Sequence, residues 1–74
     1  MENEIKNTII RKIKIGVHLY NFFKDYEKVY LWLTTENFNF GGVSPLHLMS
    51  MQREHKVLQF IEAAISENKP LKET

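Results

Sequence analysis

One stretch in the middle of the chain restricts its fold more than any other. From Thr35 to Val43 the residues read T-E-N-F-N-F-G-G-V. Two asparagines and a glycine pair tolerate left-handed backbone, so the spacing predicts an ordered turn where neither helix nor strand can run through. Phe38 and Phe40 sit inside this turn. Two aromatic rings in so short a loop are expensive to leave in water, so at least one is expected to plug the core and hold the turn in place. Ser44-Pro45 then forms a strong helix start. Serine caps the free amides, and proline at the first helical position gives up a hydrogen bond that would not form there anyway.

On both sides of the turn the apolar spacing is helical. Ile5, Ile9, Ile13, Val17 and Tyr20 return in steps of four, four, four and three and wind slowly along one side of a helix. Ile10, Ile15, Leu19, Phe22 and Phe23 widen that stripe, which predicts cover on more than one side. Gly16 lies mid-helix, where it costs about 1 kcal/mol relative to alanine, and a close helix crossing is the expected compensation. Asp25 offers an N-cap for a second helix containing Tyr26, Val29, Tyr30, Trp32 and Leu33 and ending near Thr34 or Thr35. After Pro45 a short third helix is expected to face Leu46, Met49 and Leu48 inward. Val57, Phe60, Ile61, Ala64 and Ile65 mark a fourth, ending near Glu67 before Pro70. The expected fold is all-α, a small bundle of about four helices with a Gly-Gly turn between helices two and three. Its expected parts are an N-terminal amphipathic helix (1–24), a helical binding region (25–67) and a polar, frayed tail (68–74).

Composition removes several classes of function. At 74 residues the chain forms one domain or part of one, and its own core supplies about 3–5 kcal/mol. Without cysteine there is no disulfide, thiolate metal site or redox motif, and a cytoplasmic setting is expected. Charges interrupt the first apolar positions, which excludes a signal peptide, and no run is long enough for a membrane span. The net charge is +1, but residues 1–24 hold five basic and two acidic side chains while residues 25–74 hold five basic and seven acidic. Arg11, Lys12 and Lys14 are too few to neutralise the several phosphates on which nucleic-acid affinity depends.

Chemistry-bearing motifs are weak. His18, His47 and His55 have no i, i+3 or i, i+4 partner among themselves, and H-E-x-x-H is absent, so no metal site is expected. Ser44, Ser50 and Ser66 sit in no nucleophile elbow, so neither a catalytic set nor a cofactor is expected. Gly41-Gly42 lacks both phosphate-loop patterns. The link between helices two and three is too long for a helix-turn-helix reader. What remains is surface: four short helices carry more apolar and aromatic positions than a core this small can bury. Such surplus points to a protein partner.

The stretch from Trp32 to Met49, W-L-T-T-E-N-F-N-F-G-G-V-S-P-L-H-L-M, resembles the C-terminal toxin-binding domain of Xre/MbcA/ParS-type antitoxins. Trp32, Leu33, Asn37, Phe40, Gly41, Gly42, Pro45, Leu46 and Leu48 match that pattern in order, and the resemblance covers roughly residues 17–67. The chain departs from the pattern at Glu36, where the family tends to have proline, and at Met51 and Glu54, so the last helix is expected to be capped differently. The resemblance implies a protein toxin of the RES type, an NAD-consuming enzyme that the antitoxin holds inactive by covering its active-site entrance. It also implies Phe38, Asn39, Val43 and His47, on or beside the turn, as candidate contacts, together with the last helix and its tail. These antitoxins commonly carry an N-terminal DNA-binding region, and the one helix that precedes the matched stretch cannot make a complete reader. Nucleic-acid binding is therefore not expected of this chain alone. A helical adaptor module or a small DNA-binding regulator of a mobile element is the alternative. Self-association through Ile5, Ile9, Ile13 and Val17 would bury the surplus stripe and make the chain a homodimer.

Overall fold

Local chemistry sets the ends of the helices in the computed structural model, which describes residues 2–71. The first helix, α1 (Glu2–Phe23), carries Glu2 and Glu4 in its first turn, where negative charge suits the helix dipole. It closes at Lys24, which takes a left-handed φ of 58° and donates its N–H to the carbonyl of Tyr20 at 2.7 Å. Asp25 then caps α2 (Tyr26–Thr34), its carboxylate accepting from the N–H groups of Glu27 at 2.8 Å and Lys28 at 3.4 Å. A single 3-10 turn follows at Phe38–Phe40. Ser44 caps α3 (Pro45–Ser50) by accepting from His47 N–H at 3.1 Å, with Pro45 in the first turn. Gln52, at φ 62°, separates α3 from α4 (Glu54–Ser66), which has no side-chain cap. The all-α expectation holds. Among the described residues there is no strand, and Asn37 and Val43 form one isolated antiparallel bridge.

α4 is the centre of the bundle and packs against both α1 and α3, while α2 packs against α1 and α3. The core combines Ile15 and Leu19 of α1, Trp32 of α2, Leu48 of α3, and Val57, Ile61 and Ala64 of α4. Leu71 completes it at 0% exposure. The segment expected to fray therefore does not fray before Leu71. Asn68 turns left-handed at φ 56°, Lys69 N–H donates to the carbonyl of Ala64 at 2.8 Å, and the chain folds back so that Leu71 seals the bundle. Lys72 to Thr74 lie outside the described residues.

Several inward assignments are corrected. α1 turns Ile15 and Leu19 to the core, with Thr8, Arg11, His18 and Phe23 half-buried on the same side. The more regular stripe points to water: Ile5, Ile9, Ile13 and Val17 are 59%, 52%, 58% and 52% exposed. α1 is thus covered on one side only. The reason lies in α4, where the buried Glu54 takes the Arg11 guanidinium at 3.1 Å and Glu62 faces His18 at 3.7 Å, fixing the rotation of α1. Gly16 has no close crossing among the described residues, since a Cβ built there meets nothing within 4 Å. Leu46 and Ile65 are exposed rather than inward, because one turn on α3 and the outer side of α4 have no neighbour to cover them.

Candidate partner-binding surface

The corner between α2 and α3 is organised by Asn37. Its side-chain oxygen accepts from the N–H of Asn39 at 2.9 Å and from the Asn39 amide at 3.1 Å. Its own N–H donates to the carbonyl of Val43 at 3.1 Å, and its carbonyl accepts from Phe40 N–H at 3.0 Å and Gly42 N–H at 3.1 Å. A buried residue thus ties the two limbs of the turn together. Gly41 and Gly42 stand at φ 76° and 89°, the left-handed backbone that the glycine pair predicted. Phe40 plugs the corner, its ring edge-on to Trp32 at 6.2 Å and to Phe60 at 5.1 Å. Edge-to-face rings at these separations add about 0.5–1.5 kcal/mol each beyond their burial. They act against the cost of two buried donors in this corner without a partner, Trp32 Nε1 and Asn37 Nδ2.

Held in this way, the corner presents Phe38 to solvent at 79% exposure. Asn39, Leu46 and His47 are exposed around it, and Val43 is half-buried. Beside the corner lies a shallow depression with Phe40, Leu48 and Phe60 at its floor and Asn39, Arg53, Lys56 and Gln59 around it. The sequence places Phe60 on the apolar stripe of the fourth helix and singles out none of Arg53, Lys56 and Gln59 as a contact residue. The i, i+3, i+6 spacing of Arg53, Lys56 and Gln59 at the start of α4 is the one local signal that could have grouped them. The surface therefore combines a fixed aromatic projection with an apolar floor rimmed by two cations, a form suited to a partner with an apolar recess and acidic edges.

Of the motif residues, Trp32, Asn37, Pro45 and Leu48 are buried, Leu33 and Phe40 half-buried, and Leu46 and the two glycines exposed. His18, His47 and His55 lie apart on α1, α3 and α4. Among the described residues no group of three His, Cys, Asp or Glu side chains is placed to hold a metal ion. No described helix is long and apolar enough to cross a membrane.

The family model described as the antitoxin Xre/MbcA/ParS C-terminal toxin-binding domain matches residues 18–63. The chain belongs to this antitoxin family. Comparison with curated proteins and with solved structures gave no match. The antitoxin domain begins within α1 at His18 and ends within α4 at Ala63, so it contains the whole α2–α3 corner. The exposed stripe of α1 from Ile5 to Val17 falls outside it.

Proposed function

We propose that this antitoxin domain neutralises a RES-type, NAD-consuming toxin by occluding the entrance to its active site, with the α2–α3 corner as the contacting element. The carrying observation is that Phe38 stands 79% exposed on a corner fixed by Asn37, inside the matched toxin-binding span. A large ring held in place before binding loses little conformational freedom on contact, which is what a central interface anchor needs. Asn39, Val43 and His47 would border it, and Arg53 and Lys56 would steer it toward an acidic rim. In the same reading the protein works in the cytoplasm as a homodimer paired through Ile5, Ile9, Ile13 and Val17 of α1.

Co-expression with the adjacent open reading frame tests the toxin reading. The two products are expected to co-purify, and the cellular NAD that the neighbour alone depletes is expected to be spared. Phe38→Ala should abolish protection while leaving the thermal midpoint unchanged, because the side chain touches little of its own domain. Full protection by Phe38→Ala would remove the corner from the interface. A neighbour that leaves NAD untouched would remove the RES assignment.

A further inference from the structure

We propose that the depression beside the corner receives from the toxin a projecting segment in which an apolar side chain is bordered by carboxylates. This rests on the reading of the α2–α3 corner as the toxin-binding element, and adds the chemistry of what the toxin brings to it. The depression lies inside the matched span, since its lining runs from Asn39 to Phe60. Its volume of about 610 Å³ suits a short stretch of chain rather than a single ion. Phe40 and Phe60 meet edge-on at 5.1 Å and are only half-buried, so part of each ring stays in water. An apolar side chain set against them removes that surface from water and finds the rings already in place.

Charge fixes what stands around that side chain. The two acids of α4, Glu54 and Glu62, both face α1, where they meet Arg11 at 3.1 Å and His18 at 3.7 Å. Arg53, which precedes α4, and Lys56 in its first turn stand instead on the rim of the depression. Both are exposed, and neither has an ion-pair partner among the described residues. No described Asp or Glu lines the depression, and its remaining rim residues, Asn39 and Gln59, carry amide donors. The two buried groups of the corner without a partner, Trp32 Nε1 and Asn37 Nδ2, are donors as well. An apolar floor within a ring of cations and donors repels a basic occupant, leaves the rim of a purely apolar one unanswered, and is matched by carboxylates. Two cations are too few to hold a nucleic-acid strand by its phosphates, so the occupant is an acidic protein segment.

The experiment follows the backbone amides of Phe40, Arg53, Lys56 and Phe60 by heteronuclear NMR of the isotope-labelled chain. Two capped peptides are the probes: acetyl-Asp-Leu-Phe-Asp-amide and its uncharged counterpart, acetyl-Asn-Leu-Phe-Asn-amide. The acidic peptide is expected to move these amides in a saturable way at about 1 mM. It should bind about fivefold or more tightly than the uncharged one, and lose that advantage in Arg53→Gln with Lys56→Gln or in about 1 M salt. Both substituted positions are exposed, so the double variant keeps its core, which an unchanged thermal midpoint verifies. Equal binding of the two peptides, or no saturable shift at these amides, overturns the proposal. So does an equal response to oligothymidylate, or movement of the same amides when the chain alone is concentrated, which would seat a second copy there. The neighbouring gene product supplies the other arm: Arg53→Glu with Lys56→Glu should slow its association about tenfold or more at low salt. Association as fast as the parent's takes the depression out of the interface. A product that does not bind the parent overturns the toxin reading, while the peptides still decide the chemistry of the depression.

Discussion

Replacing Gly41 by L-alanine, and separately by D-alanine in a chemically synthesised chain, isolates the backbone demand of the corner. Gly41 closes the 3-10 turn at φ 76° and ψ 22°, donating its N–H to the Phe38 carbonyl at 3.1 Å. A Cβ at this position meets nothing within 4 Å, so no clash or new contact confuses the result. The left-handed region costs an L-residue about 1–2 kcal/mol. Against the roughly 3–5 kcal/mol that a core of this size supplies, that is a large fraction. At about 4–8 °C per kcal/mol for a domain of this length, L-alanine should lower the thermal midpoint by about 4–16 °C. D-alanine prefers positive φ and restricts the unfolded chain, so its midpoint should equal or exceed that of the parent. Circular dichroism in the far ultraviolet follows the helices. The fluorescence of Trp32, the only tryptophan and a buried one, follows the corner itself. Because the change alters backbone preference and not the presented side chains, the folded fraction of Gly41→Ala should keep the parent's affinity for its toxin. L-alanine as stable as glycine, or D-alanine as damaging as L-alanine, would refute the reasoning.

Three further substitutions test the packing. Arg11→Met leaves the buried Glu54 carboxylate without its 3.1 Å partner, and Arg11 is itself partly exposed, so urea unfolding should show a loss of about 2–4 kcal/mol. Adding Glu54→Leu should recover most of that loss. Leu71→Ala should cost about 2–5 kcal/mol in the same assay, whereas a frayed tail would register nothing. Gln52→Gly relieves a left-handed φ of 62° between α3 and α4 and should raise stability by about 1 kcal/mol, read as a higher thermal midpoint.

The neighbourhoods of a few residues decided the helix boundaries and the turn, and these were legible in the sequence. Asp25 and Ser44 cap the helices they precede, Pro45 stands in the first turn of α3, and Gly41 and Gly42 take the positive φ their pairing announced. The corner was legible for the same reason, since Asn37 bonds only to residues within six positions of itself. The rotation of α1 was not. Periodicity marked Ile5, Ile9, Ile13 and Val17 as its cleanest apolar face, yet the bundle buries Ile15 and Leu19 instead and joins Arg11 to Glu54, 43 residues away. A hydrophobic pattern records which side of a helix prefers to leave water, and the shape and charge of the facing helix decide which side does so. Leu71 makes the same point from the other end of the chain: nothing near it in sequence distinguishes it from a polar tail, and its place in the hydrophobic cluster shared by the four helices made it core.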